Sequence, residues 1–467
     1  MDLNGYFEHL NVGLSDDILR LKLHGDFAGA IRLIDHKLAS GDLPQAFRNC
    51  LIVQREIIQR LPENYVYTKE QALARVQARI PDFTEAEFDQ MVLDNRIDWI
   101  YIQGVPHYFD RFYESLVKTD RNFAARAGEY KVLSDGGSTA GVEEDPLDRT
   151  ARIMKETGSC SNRIRVQATV RLKDELFKPG TFVRAHLPIP CACDQQSDIR
   201  IERVDPPTAH IAPEDAPQRA VCWEETLEEN RTFTVEYSYV YTAHYNDVSA
   251  IVPSKEQPSF DTQEQSPHIV FTPYLRELVA SLTEGLDSPL DKAKAIYDFL
   301  TLNVKYSFMR AYFCLENIAE SCARNLKGDC GVMALTFITM CRCAGIPARW
   351  ESGLYTRPDF CGAHDWAKFY VAPYGWLHAD VSFGAGAVRE NNEARRQFYF
   401  GNLDAFHMVA NSQFQAGFTT PKHHWRADPY DNQEGEIETT DRGFRADDMI
   451  RTHVPLSCED VTDEFIK

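Results

Sequence analysis

At 467 residues the chain is too long for one ordinary domain and long enough for two to four, each with its own core. A hydrophobic content of 43% and a charged content of 26% are ordinary for a soluble globular protein. The balance of 50 basic against 70 acidic residues leaves a net charge of −20, which argues against nucleic acid or an anionic membrane as partner. No stretch approaches the roughly 18 apolar residues of a membrane span, so none is expected.

The opening residues Met1-Asp2-Leu3-Asn4-Gly5-Tyr6-Phe7-Glu8 have neither a basic n-region nor an apolar h-region. The expectation is a cytoplasmic protein whose 12 cysteines are reduced thiols. Cys191-Ala192-Cys193 and Cys341-Arg342-Cys343 are spaced by one residue, closer than the pairs that hold zinc, and no metal or other cofactor is expected.

Residues 1–134 read as a mainly helical region. Phe47, Cys50, Leu51, Val53, Gln54, Ile57, Ile58 and Leu61 follow the helical period until Pro62 stops it. Thr68 caps a short helix, and Thr84, with Glu87 three residues on, caps another. A strand-like run over 97–102, a turn at Gly104 and a return at His107-Tyr108-Phe109 complete the outline of a winged helix. Its second helix carries Glu85, Glu87, Asp89 and Asp94, which repel phosphate, so packing or partner docking is expected there rather than DNA binding. Residues 135–159 read as a polar linker.

Residues 160–265 change period. Arg163-Ile164-Arg165-Val166-Gln167-Ala168-Thr169-Val170 alternates strictly, and several further short strands predict a β-sandwich. Residues 266–420 are mixed: helices opening at Ser288-Pro289 and at Cys330, then three strands near 348–355, 366–372 and 376–381. Residues 421–467 are polar and acidic and read as an extended tail lying over the core.

Of the cysteines, Cys330 is placed where chemistry wants a thiol. It precedes an apolar helical run, where unpaired N–H groups and the helix dipole favour a thiolate, the nucleophilic form. A cysteine nucleophile needs an imidazole, and the imidazole needs orienting. His364 opens a strand, and Asp380 ends the next. A helix terminus packed against a sheet edge would let Cys330 meet His364, and neighbouring strands would let His364 meet Asp380.

Three segments carry a resemblance. Gly328-Asp329-Cys330-Gly331 with its helix ending Ala344-Gly345-Ile346-Pro347-Ala348-Arg349, then His364-Asp365-Trp366-Ala367-Lys368-Phe369-Tyr370-Val371, then Gly375-Trp376-Leu377-His378-Ala379-Asp380-Val381, resemble in order the three motif segments of the transglutaminase-like superfamily, over roughly residues 280–400. The resemblance implies an α+β fold with a papain-like core, a helix-borne cysteine packed on an antiparallel sheet. It implies Cys330, His364 and Asp380 in the three catalytic roles, and an immunoglobulin-like sandwich upstream. Asp365, Lys368 and Val381 depart from the family pattern beside the triad and bear on the charge of the cleft.

An oxyanion hole needs donors besides the Cys330 N–H, and Tyr306 and Asn325 are the candidates; Trp366 and Trp376 are expected as walls of the core or cleft. There is no calcium-loop pattern and no paired CxxC module. Hydrolysis of a peptide, protein or other amide substrate is the favoured reading, since water needs no acceptor site. Acyl transfer from glutamine to an amine and a non-catalytic scaffold are the alternatives.

Overall fold

The computed structural model describes residues 3–129 and 145–465. In the N-terminal region, threonine capping boxes at Thr68 and Thr84 open the helices Lys69–Gln77 and Glu85–Leu93, and an antiparallel hairpin, Trp99–Ile102 with Val105–Tyr108, follows. Tyr65, Phe83, Phe88, Ile97 and Phe112 form a small core of their own between these elements. The residues before them belong elsewhere. Phe7, Ile18, Leu51 and Ile57 share one core with Phe313 and Leu335 of the mixed domain, so the region divides after Leu61.

The mixed domain is built on a five-stranded antiparallel sheet. Its order is Phe400–Gly401, Gly375–Ala379, Phe360–Val371, Ala348–Arg357, His407–Asn411. The helix Cys330–Cys343 lies on one face, with Phe337 set edge-on to Phe369 at 5.7 Å. That helix is apolar all round because the helices Pro289–Asn303 and Ile318–Asn325 cover its other sides. The opposite face of the sheet, through Leu354, Trp366 and Met408, joins the core of the sandwich. Where the strand Ala348–Arg357 bulges against His407–Asn411, a Cβ on Gly353 would sit 2.0 Å from the Met408 carbonyl oxygen, so the strands meet only around a glycine.

The sandwich has two four-stranded antiparallel sheets. Ile164, Val166, Ala168 and Val170, every second residue of the strand Ser159–Leu172, are fully buried, as the alternation predicts. The segment read as a surface tail departs from expectation: it supplies one strand to each sheet. Glu436–Thr439 pairs with Thr181–Pro188, and Met449–Asp460 runs the length of Ser159–Leu172. Composition hid this because Glu436–Thr439 buries two acids, Glu436 and Glu438, each paired with a cation, and Met449–Asp460 turns Ile450, Val454 and Leu456 outward, so neither sequence alternates as a half-buried strand should.

The reading of 135–159 as a linker also changes. Residues 135–144 lie outside the described residues, but Pro146–Thr157 is a helix, capped by the Asp145 carboxylate and ended by Gly158 at φ 88°. Asp145-Pro146 is an N-cap followed by proline in the first turn, a start signal rather than a break. Among the described residues no helix is long and apolar enough to cross a membrane.

Candidate active site

Cys330 is the first residue of its helix. Asp329 caps that helix, its Oδ1 accepting from the Val332 N–H at 3.2 Å and from the Tyr312 hydroxyl. Asp380 follows the last residue of the strand Gly375–Ala379 and caps the next helix, Val381–Arg389, through Oδ1, which accepts from the Phe383 N–H at 2.8 Å. Its other oxygen, Oδ2, accepts from His364 Nε2 at 2.6 Å. With Nε2 committed to Asp380, Nδ1 is the nitrogen of His364 free to take a proton. The ring is held flat against Phe383, centroids 4.5 Å apart. Cys330 and His364 open onto one cavity of about 280 Å³, with Tyr306, Tyr355, Phe360 and Phe383 among its walls.

The electrostatics around the sulfur differ from expectation. Helix position predicts a lowered thiol pKa; removal from water, then the Asp365 and Asp329 carboxyls, push the Cys330 thiol well above its ordinary value. Its Sγ–H donates to Asp365 Oδ2 at 3.2 Å. Asp365 reaches the sulfur because Gly331 follows the cysteine: a Cβ there would meet Asp365 Oδ2 at 2.8 Å and the Tyr312 hydroxyl at 2.4 Å. Burial, then Asp431 and Asp329, push the Asp365 carboxyl well above the usual range. Asp365 and Asp431 form a hydrogen-bonded carboxyl pair, so one of the two keeps a proton. Gln433 Nε2 braces the arrangement, donating to Asp365 Oδ1 at 2.7 Å and to the His364 carbonyl at 2.8 Å. Asp380 behaves oppositely. Burial works against its charge, but His364 and His407 hold its carboxyl far below the ordinary carboxylate range.

Tyr306 lines the cavity, and burial, followed by the Cys330 and Asp329 charges, pushes its phenol strongly upward, so it stays a protonated donor. Asn325 is not at the cavity: it closes the helix Ile318–Asn325, donates to the Ser321 carbonyl at 2.9 Å, and lines a separate hollow. The tryptophans also sit elsewhere than the cleft. Trp366 is fully buried beneath His364, its Nε1 donating to Glu351 at 3.0 Å. Trp376 packs on Tyr370 and Phe260 under the Arg349 guanidinium. Lys368, flagged for cleft charge, instead pairs with the buried Glu351.

Several residues at the site have no signature in the sequence. Asp365 is visible as a departure from the family pattern, but its contact with sulfur is not. His407, on the edge strand His407–Asn411, lies 3.7 Å from Asp380 Oδ2, and Asp404 on its far side helps hold its pKa up at about 9 against the opposing effect of burial. Asp431 and Gln433 come from a segment that reads as tail. His364, Asp380 and His407 bring ligand-type atoms within 4.8 Å of one another, a convergence that their hydrogen bond and ion pairs already require. All 12 cysteines are free thiols, and Cys191 and Cys193 are desolvated with raised pKa.

Residues 276–381 match the family model of the transglutaminase-like superfamily. An uncharacterized protein of Haemophilus influenzae is 26% identical over 188 residues, which make up 33% of this chain and 51% of that protein. The uncharacterized protein YebA of Bacillus subtilis is 25% identical over 130 residues, 24% of this chain and 17% of YebA. The chain thus spans about half the length of the first relative and less of the second. Among solved structures, a candidate cysteine protease from Cytophaga hutchinsonii aligns with a TM-score of 0.43 at 15% identity, over 65% of this chain and 91% of that one.

Proposed function

We propose, from the premise that residues 276–381 are a transglutaminase-like core, that this protein is a cysteine-dependent hydrolase of amide or peptide bonds that works through a thioacyl intermediate. The observation that carries this reading is the 2.6 Å hydrogen bond between His364 Nε2 and the buried Asp380 Oδ2, with His364 and Cys330 opening onto one cavity. The cycle follows from the charges described. Cys330 rests as a neutral thiol, so attack and deprotonation go together: Sγ bonds to the substrate carbonyl carbon as its proton passes to His364 Nδ1. Asp380, ionised throughout, stabilises the imidazolium. The oxyanion is met by the Cys330 backbone N–H and the Tyr306 hydroxyl. His364 then gives its proton to the leaving nitrogen, the C–N bond breaks, and a thioester remains on Cys330. Water attacks that thioester, its proton returns through His364 to sulfur, and the acid leaves.

Incubating the full chain with a peptide library and reading the mass of Cys330-containing fragments tests this. The expected result is an acyl adduct on Cys330 that decays in water and is absent from Cys330→Ala. With a labelled amine present, hydrolysis is expected to exceed amine incorporation; the reverse ratio would make the protein an acyltransferase. No adduct, together with iodoacetamide labelling of Cys330 no faster than that of the other cysteines, would sink the enzyme reading.

A further inference from the structure

The cavity that holds Cys330 is cationic in a chain whose net charge is −20. Among the described residues, three cations line it, Lys118, Arg389 and Arg395, with one carboxylate, Glu390. Arg395 is consumed by its neighbours: it pairs with Asp148 at 2.8 Å, Glu390 at 2.7 Å and Asp145 at 3.3 Å. That leaves Lys118 and Arg389, and neither has a carboxylate partner among the described residues. Lys118 comes from the winged-helix-like region, yet its Nζ stands 4.6 Å over the Tyr306 ring and 4.7 Å over Phe308. Arg389 ends the helix that Asp380 caps, and its guanidinium donates to the Lys118 backbone carbonyl, so the two residues meet at one mouth. Both are surface-exposed, so a ligand can reach them. Desolvation first, and repulsion by Arg389 second, lower the pKa of Lys118, the sign of a cation without its counter-ion. The remaining walls are apolar and aromatic: Leu147, Tyr355, Phe360, Phe383 and Ala387.

We infer that Lys118 and Arg389 form an anion subsite beside Cys330, and that the acyl donor bears a carboxylate next to the bond that is cleaved. The inference rests on the reading of Cys330 as nucleophile. Two fixed cations at the rim of a low-dielectric cleft attract and orient a carboxylate there, and do so less as salt rises. A carboxylate can come from an acidic side chain or from a free peptide terminus, and both present the same two oxygens to a lysine and an arginine.

A pair of small alkylating reagents separates this subsite from the chemistry it serves. Iodoacetate and iodoacetamide transfer similar groups to a thiolate but differ in charge. On the full chain at low salt, Cys330 is expected to favour iodoacetate over iodoacetamide about tenfold more than free glutathione does. Lys118→Ala or Arg389→Ala should cut that ratio several-fold, Lys118→Glu should invert it, and Lys118→Arg should keep it. Using the ratio within each variant cancels any change in the thiol itself. If iodoacetamide labels Cys330 selectively while the ratio matches that of glutathione in every variant, the subsite is refuted and the nucleophile stands. If neither reagent selects Cys330, both readings fall. Two peptide pools then distinguish the sources, one with internal glutamate and an amidated end, one without acidic side chains and with a free terminal carboxylate. Faster turnover of either than of a neutral amidated pool supports the subsite, and equal rates for all three overturn it.

Discussion

At the scale of single residues, the chemistry turns on which groups next to sulfur can hold a charge together. Cys330, Asp365, Asp431 and Asp329 are crowded and desolvated, and Asp428, beside Asp431, is itself pushed up to about 8. As pH rises, ionisation of the Asp365–Asp431 pair sets a negative charge against the thiol before the thiol ionises. Asp365→Asn removes that charge and keeps the shape. The midpoint of iodoacetamide labelling of Cys330 against pH should therefore fall by about one unit or more, which is about tenfold faster labelling at neutral pH. A midpoint that stays or rises would mean that Asp365 is neutral throughout. Asp380 calls for the opposite substitution logic. Asp380→Asn keeps the acceptor that caps Val381–Arg389 but removes the charge that His364 and His407 stabilise, so stability at neutral pH should fall by on the order of 3 kcal/mol as the imidazolium loses its counter-charge. Hydrolysis should drop by about three to four orders of magnitude in kcat. A kcat of the folded variant close to that of wild type would instead make Asp380 a structural charge and nothing more.

At the scale of elements, glycine positions discriminate strain from free space. Gly353→Ala forces a Cβ to within 2.0 Å of the Met408 carbonyl and should cost about 3 kcal/mol in urea unfolding, because backbone must move. Gly386→Ala, in the helix Val381–Arg389 with nothing within 4 Å, should instead stabilise by about 0.5–1 kcal/mol. Equal effects would show that the sheet relaxes at the bulge. The same elements mark what was legible from sequence. Capping boxes at Thr68 and Thr84, strict alternation over Ile164–Val170 and the apolar run after Cys330 each carry a local signal, and each element formed where that signal lay. The helix Pro146–Thr157 was hidden because few of its residues face a core, chiefly Thr150, Ala151 and Met154. Asp365, Asp431 and Gln433 meet only through the pairing of a late segment with an early sandwich, a long-range event that no local pattern encodes.

At the scale of the whole molecule, the segments before Leu61 and after Pro421 converge on the same core as the candidate site, with Phe7 and Trp425 in edge-to-face contact at 5.8 Å and Tyr430 beside them. Stability should therefore report on the charges buried around the site, and His407 is the clearest of these. Burial disfavours its charge, but Asp404 and Asp380 prevail and hold it at about 9 against an ordinary 6.5. A group raised on folding stabilises fully below its unfolded pKa, and that contribution is lost as pH climbs through the folded value. His407 should thus contribute on the order of 3 kcal/mol below pH 6.5, fading between there and about pH 9. Asp428 drifts in the same direction as pH rises, but it does so in wild type and variant alike and cancels in their difference. Asp380, depressed on folding, stabilises above about pH 3.8 and loses that contribution only in acid, outside this window. Urea unfolding of wild type and His407→Gln at pH 6 and pH 10 isolates the effect. The gap between the two proteins should be largest at pH 6 and shrink by about 2–3 kcal/mol at pH 10. A gap that is constant across that range would mean that His407 is buried neutral, and that Asp380 is held low by His364 alone.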